Sequence, residues 1–171
     1  MTPDHPPGQT APATLDPFER DVLPVLRHFL ATHRHPATQS WEHGFAIAVN
    51  RWGEPRGLAL AFDLAKLARA AHAATQGRLR AGDPLCLDAR ARLTEDEIYL
   101  LHMLHHMRRD ATPAARLALS ALTRGRMDRE LIRAGLSFAA RYPAAPRETA
   151  SQPARERGRT GPSGPRLSLV T

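Results

Sequence analysis

The hydrophobic residues of the chain recur at helical rather than strand spacing over most of its length. Near the N-terminus, Val22 and Leu26 lie on one side of a helical wheel, and Asp16 and Glu19 have the spacing of a capping box. Pro24 falls inside this segment and lacks the N–H that a helix interior requires. We therefore expect a first helix that is kinked or split at Pro24.

The middle of the chain carries two overlapping patterns. Leu60, Leu64 and Leu67 keep helical spacing, which predicts two helices near residues 39–51 and 56–76. Hydrophobic residues also alternate on both sides of the sequence GEPRG, as they would in a two-stranded hairpin. We prefer the helices, because the helical spacing continues into the alanine-rich end of the segment, and the hairpin remains the alternative.

A connection follows these two helices. Gly82, Asp83 and Pro84 mark a turn. Residues 85–87, Leu-Cys-Leu, predict a short extended piece that packs against the body, in which Cys86 is a buried and unreactive thiol.

Capping residues divide residues 94–142 into three further helices. Thr94 caps the first, Thr112 opens the second before a proline, Gly125 closes the second, and Asp128 begins the third. The chain is therefore predicted to be all-α, a single compact bundle of about six helices.

The bundle is expected to occupy residues 15–142, between two disordered tails. Residues 1–14 are rich in proline, and residues 143–171 are rich in arginine, proline and glycine. Neither segment carries enough apolar surface to offset the entropy lost on ordering.

The charge of the chain is strongly positive. The formal net charge is +7 at pH 7, and residues 15–142 alone carry 19 basic against 14 acidic residues. All basic residues but Lys66 are arginines, whose planar donor fork suits phosphate and carboxylate groups. The composition favours either double-stranded DNA or an acidic protein as partner, although a coding bias toward arginine and alanine would produce the same excess.

The cysteine count and the hydropathy indicate the cellular compartment of the protein. A single cysteine allows no internal disulfide, which fits a reducing cytoplasm. No apolar run approaches the roughly 18 residues of a membrane span, and the N-terminus lacks the features of a signal peptide. We expect a cytoplasmic protein that does not contact membranes.

Three histidines stand close together in the sequence IYLLHMLHHMRRD, which starts at residue 98. On a helical wheel, His102, His105, His106 and Arg109 lie opposite the leucine and methionine face, so we expect them to face solvent. His102 and His106 are four residues apart and could share a metal ion, but two ligands do not complete a zinc site. The alternatives are a solvated face or a contact surface that gains charge as the pH falls.

The last two predicted helices and their turn suggest a helix-turn-helix unit. Arg124, Arg126, Arg129 and Arg133 follow or flank the glycine of the turn, and the last three share one face of the final helix. A recognition helix would present such a face to the major groove of double-stranded DNA. These four arginines are the predicted nucleic-acid-binding residues.

The fit to a helix-turn-helix unit is imperfect. Ser120 and Arg124 stand where such units usually bury apolar side chains, and arginine is abundant throughout the chain. A basic solvated face on a structural helix is therefore the alternative interpretation of these arginines.

The sequence offers little for catalysis. Trp41, Glu42 and His43 are adjacent, but neighbouring residues on a helix point about 100° apart and do not orient one another. The leading hypothesis is a non-enzymatic cytoplasmic regulator that needs no cofactor and binds DNA through residues 113–142. The alternative is a protein-interaction or adaptor domain that presents its histidine face and C-terminal peptide to an acidic partner. A histidine-based metal-binding protein is the third hypothesis.

Overall fold

The computed structural model describes residues 15–145, and most of this range is helical. The helices are α1 (Pro17–Arg34), α2 (Ser40–Trp52), α3 (Glu54–Ala74), α4 (Leu87–Arg90), α5 (Glu95–Met107), α6 (Thr112–Thr123) and α7 (Arg129–Arg141). Helix α4 is a single turn, so six helices build the body. The described residues contain no β-strand. The prediction of an all-α bundle of about six helices is confirmed.

Helix α1 begins with the predicted capping box. Asp16 accepts a hydrogen bond from the backbone N–H of Glu19 at 2.8 Å, and Glu19 accepts one from the N–H of Asp16 at 3.0 Å. The helix continues through Pro24, so of the two expected outcomes, a kink or a split, the split is wrong. Val22 and Val25, on either side of the proline, are buried in the same core, which holds both halves in one element.

The two preferred helices form in the middle of the chain, as α2 and α3, so the hairpin alternative is wrong. They pack against each other and against α1. Gly57, near the start of α3, makes the close approach possible, because a Cβ atom there would lie 2.5 Å from the carbonyl oxygen of Ala48. The alternation of apolar residues arises because the outer face of α3 exposes Leu58 and Phe62.

The connection between α3 and α5 differs from its prediction. Residues 87–90 form α4 rather than an extended piece, and Leu85, Cys86 and Leu87 are exposed instead of packed. The reason lies in Arg27 of α1, which draws the backbone carbonyls of this segment toward the body and leaves the apolar side chains outside.

Helices α5, α6 and α7 begin at or next to the predicted residues. Thr94 accepts a hydrogen bond from the N–H of Glu97 in a second capping box, and Asp128 accepts one from Leu131. Helix α5 packs on α6, whereas α7 crosses α3 and α5. Gly135 of α7 lies against the flexible side chain of Met107 at this crossing.

One hydrophobic core joins these helices. Its largest members are fully buried leucines, methionines and aromatic side chains from α1, α3, α5, α6 and α7, among them Leu26, Leu64, Leu101, Leu119 and Phe138. Within residues 15–145, none of the helices combines the length and the apolar character needed to cross a membrane. The predicted tails lie outside the described residues, apart from residues 143–145.

Candidate functional site

The four predicted nucleic-acid-binding arginines are all exposed, at the turn between α6 and α7 and on α7 itself. Arg124 takes a left-handed backbone conformation at the end of α6, with φ 56°. Arg126 donates a hydrogen bond to the carbonyl of Ala74, so it caps the C-terminal end of α3. Arg133 lies 3.3 Å from Glu130 in an exposed ion pair.

A fifth arginine joins this surface from a distant part of the sequence. Arg78 and Arg124 line the same small depression beside the end of α3, together with Asp96. We call Arg78, Arg124, Arg126, Arg129 and Arg133 the arginine surface. Asp96, Asp128 and Glu130 are interspersed with it. Asp128 is engaged as the N-cap of α7.

Helices α6 and α7 are separated by an apolar groove of about 370 Å³. The apolar residues along it are Met107, Ala115, Leu119, Met127, Ile132 and Leu136. The two helices make few direct contacts, because α6 packs on α5 while α7 packs on α3 and α5. The helix-turn-helix interpretation stays a prediction, since such units rely on close packing of their two helices.

The histidine face of α5 is not the solvated surface that the helical wheel predicts. His105 is 4% exposed, and its Nδ1 lies 2.7 Å from Oε2 of Glu19 on α1. His102 and His106 are half-buried. Arg109 is also half-buried rather than free in solvent, since it pairs with Glu19 and Asp16. A buried polar group is tolerated when its partner is in place, and Glu19 provides that partner for His105.

Glu19 is the centre of a buried ionic network between α1 and α5. Its Oε1 accepts hydrogen bonds from Arg108 at 2.7 Å and from Arg109 at 2.8 Å, and the residue is 1% exposed. Asp16 accepts from the same two arginines at 2.9 and 2.8 Å. The guanidinium of Arg108 also lies over the ring of Phe18, 4.6 Å from its centre. The network ties the start of α1 to the end of α5.

The charges in this network stabilise one another. Burial alone would raise the pKa of Asp16, but the Glu19 N–H and the guanidinium groups of Arg109 and Arg108 lower it overall. Burial alone would lower the pKa of Arg109, but its hydrogen bonds to Glu19 and Asp16 raise it. Both groups therefore keep their charges in the folded protein, and the network is structural.

The proposed metal ligands His102 and His106 lie with ring centres 6.1 Å apart. Burial lowers the pKa of both imidazoles, and the neighbouring His105 lowers each of them further. They gain charge at a lower pH than an ordinary histidine does. Over residues 15–145, no three His, Cys, Asp or Glu side chains converge in an arrangement that could hold a metal ion.

A second buried ion pair holds the connection that precedes α5. Arg27 donates to Glu97 through Nε at 2.6 Å and through Nη2 at 2.9 Å. The same guanidinium donates to the carbonyls of Ala89 at 3.1 Å and Arg92 at 2.5 Å, and Glu97 accepts from the N–H of Gly82 at 3.0 Å. One ion pair thus fixes both ends of the segment from residue 82 to residue 92.

The segment held by Arg27 closes one side of a cavity of about 550 Å³, which we call the α1–α2 cavity. Its apolar walls are Leu15, Leu23, Pro24, Ile47, Leu93 and Leu101. Arg20, Arg90 and Arg92 also line it, and they are exposed, so they lie where the cavity meets solvent. His28 lies in the wall and is hydrogen bonded to Ser40 through Nδ1 at 2.8 Å. Burial, His43 and Arg90 lower the pKa of His28, so its imidazole is neutral at neutral pH.

Sequence reasoning missed the cavity, both buried ion networks and the place of Arg78. A weak indication was present, because Arg27 and His28 follow Val25 and Leu26 directly, inside a run of residues that the helical pattern buries. Such a run shows that polar groups are buried but does not show which distant residues pair with them.

In comparisons with known proteins, no family model, no curated protein and no solved structure matches the chain.

Proposed function

We propose that the protein is a non-enzymatic, double-stranded-DNA-binding regulator that contacts phosphates through the arginine surface. The observation that carries the proposal is that four exposed arginines lie at or just after the α6–α7 turn, and that the α3–α4 connection adds the exposed Arg78 beside Arg124. Arginine forks donate in pairs to phosphate oxygens, and several together release the counterions that surround DNA.

The ion pairs elsewhere in the body strengthen this proposal. Five acidic residues pair with basic side chains elsewhere: Asp16, Glu19, Asp21, Asp63 and Glu97. Paired charges of this kind cancel locally and contribute little to the field around the protein. The arginine surface holds five arginines against Asp96, Asp128 and Glu130, a net charge of +2, so it contributes to the positive potential that DNA would meet.

The packing favours contacts across the phosphate backbone over insertion of α7 into a groove. Helix α7 lies with its buried face on α3 and α5, and Arg129 and Arg133 point outward beside the exposed apolar Leu136. We therefore expect binding that depends weakly on DNA sequence, since backbone contacts carry no base information.

The test is a titration of two unrelated 20-base-pair duplexes by fluorescence anisotropy at two salt concentrations. We expect the affinity to fall with salt, by about 0.9 log units per tenfold change in salt for each phosphate contacted. The triple substitution Arg124→Ala, Arg129→Ala and Arg133→Ala is expected to reduce the slope of log affinity against log salt concentration by about 2 to 3. It should weaken binding to both duplexes equally. Arg126 is retained because it caps α3.

A charge-matched control separates a specific surface from total charge. Arg20→Ala, Arg56→Ala and Arg69→Ala together remove the same three charges from exposed positions on α1 and α3. This control should bind DNA nearly as the unaltered protein does. Equal weakening by the two triple variants, or no salt dependence at all, would rule out the arginine surface as the DNA site.

The groove between α6 and α7 supports a second candidate function, that of a docking site for an apolar peptide segment. Leu136 and Met127, which line this groove, are 53% and 43% exposed. Exposed apolar patches of this kind commonly mark interaction sites. An apolar segment covering the groove would remove both side chains from water.

The occupant we propose is a segment of the same chain, residues 167–170, which carries Leu167, Leu169 and Val170 after a polar stretch. The N–H of Ala144 donates to the carbonyl of Arg108 at 3.2 Å, so the chain leaves the described body beside Met107, a wall of the groove. An extended chain covers about 3.3 Å per residue, so the 26 residues from 146 to 171 are long enough to return to the groove.

Hydrogen exchange on the full chain tests this occupant. The double substitution Leu167→Asp and Leu169→Asp should accelerate exchange in α6 and α7, because the groove loses its cover, whereas Ser151→Asp with Ser163→Asp should not. The protection should also be independent of protein concentration, since the peptide belongs to the same chain. Identical exchange in all variants would exclude the terminal segment, and concentration-dependent protection would assign the groove to a second copy.

A further inference from the structure

The α1–α2 cavity is a second place where the fold brings positive charge together, and it is unrelated to the arginine surface. Its lining includes the exposed Arg20, Arg90 and Arg92 and, among the described residues, no aspartate or glutamate. Arg27 and His28 also line it, but Arg27 is paired with Glu97 and burial lowers the pKa of His28, so the positive charge comes from the three exposed arginines. Small-molecule sites typically have volumes of about 300–1,000 Å³ and apolar walls with a few polar groups, and this cavity of about 550 Å³ matches that description.

We propose that the α1–α2 cavity binds an amphipathic monocarboxylate, with its apolar chain or ring among the leucines and its carboxylate at the exposed arginines. The proposal goes beyond DNA binding, since no nucleic acid would enter a cavity with these apolar walls. It assigns a ligand class to a site that uses none of the arginine-surface residues.

The shape of the cavity does not depend on a ligand. Arg27 is occupied by Glu97 and by the carbonyls of Ala89 and Arg92, so its hydrogen bonds hold the outer wall in place. Leu101, a fully buried residue of α5, contributes to the lining. A preformed site of this kind loses little free energy to ordering when it binds.

The charge of the lining selects the headgroup. Arg90 donates through Nε to the carbonyl of Pro84 at 2.9 Å, which fixes its guanidinium at the cavity. Arg20 is on α1, whereas Arg90 and Arg92 both belong to the connection between α3 and α5, so the three basic groups come from two separate places in the chain. A carboxylate accepts two parallel hydrogen bonds from one guanidinium, which a neutral or cationic headgroup cannot do.

The apolar walls select the rest of the ligand. Leu15, Leu23, Pro24, Ile47 and Leu93 give a charged or strongly hydrated molecule no hydrogen-bond partners inside the cavity. Burying such a group without partners is unfavourable, whereas burying a hydrocarbon chain is favourable. A single anionic group at the mouth and a hydrocarbon body inside satisfy both parts of the lining.

The test is isothermal titration calorimetry of the full chain with decanoate, decyl phosphate, 1-decanol and decyltrimethylammonium, each below the concentration at which it aggregates. We expect saturable one-to-one binding of decanoate, at least about tenfold tighter than that of 1-decanol, and no measurable binding of the cation. If decyl phosphate binds more tightly than decanoate, the site prefers a phosphate headgroup, and the assignment of a carboxylate ligand is overturned.

Two variants locate the binding. Ile47→Trp should abolish decanoate binding by filling the cavity. Arg20→Glu with Arg92→Glu should weaken the binding of decanoate by at least about tenfold and leave the binding of 1-decanol unchanged. Arg56→Glu with Arg69→Glu makes the same charge change at exposed positions outside the lining, and should have no effect.

Three results would contradict the proposed ligand site. Decanoate and 1-decanol binding with equal affinity, decanoate binding that survives both cavity variants, or the absence of saturable binding would each overturn the proposal. Circular dichroism of every variant verifies the fold, and the two charge-reversal variants keep the test valid even if Ile47→Trp does not fold.

Discussion

Replacing Glu19 with alanine is expected to destabilise the protein by about 3–5 kcal/mol, because it leaves two buried or half-buried guanidinium groups without their main counterion. Asp16 would then be the remaining carboxylate partner of Arg108 and Arg109 in this network. His105 would lose the acceptor of its Nδ1 hydrogen bond as well. Urea unfolding monitored by circular dichroism measures the change.

The matched control for Glu19 lies two residues further along the same helix. Asp21 pairs with Arg51 at 3.0 Å, but the two side chains are 49% and 41% exposed. Exposed ion pairs contribute about 0–1 kcal/mol, so Asp21→Ala should change the unfolding free energy little. If the two alanine variants lose the same stability, the Glu19 network is not the principal link between α1 and α5.

Replacing Gly57 with alanine should have the second large effect, a loss of about 2 kcal/mol. The added Cβ would lie 2.5 Å from the carbonyl oxygen of Ala48 and 2.7 Å from the Cα of Val49. Both contacts are with backbone, so α2 and α3 must move apart, and the cost of overpacking exceeds the roughly 1 kcal/mol by which alanine is the better helix former. The measurement is again urea unfolding.

Gly135 provides the comparison for Gly57. A Cβ at this position would meet the sulfur of Met107 at 2.6 Å, and a methionine side chain can change rotamer where backbone cannot. Gly135→Ala should therefore be nearly neutral or cost less than about 1 kcal/mol. A Gly57→Ala variant as stable as the Gly135→Ala variant would show that the α2–α3 contact adjusts freely.

The number and limits of the helices could be predicted because their determinants are local. Asp16, Thr94 and Asp128 cap the helices that follow them, and each accepts a hydrogen bond from a backbone N–H three residues away. The 3.6-residue period of leucines identified the core faces of α3 and α5 in the same way. The hydrophobic pattern was misleading where alternating apolar residues coincided with an exposed helix face, as at Leu58 and Phe62.

The candidate sites were predictable only in part. Arg124, Arg126, Arg129 and Arg133 are exposed, as a surface role requires, but Arg78 joins them only because the residues after α3 and the end of α6 line the same depression. The helical wheel placed polar residues opposite the core of α5, yet a wheel describes one isolated helix and cannot show that Glu19 of α1 lies against His105 and Arg109.

The sequence by itself determined an all-α bundle with its helix caps and its positive charge, since these follow from composition and from contacts within one or two turns. Only the tertiary structure decided which charged side chains are buried and which are exposed to binding partners. Glu19 meets His105 across 86 residues, and Arg27 meets Glu97 across 70. Such pairs form where helix packing brings a carboxylate and a cation together away from water. The local sequence around each residue does not show which distant residue will lie next to it.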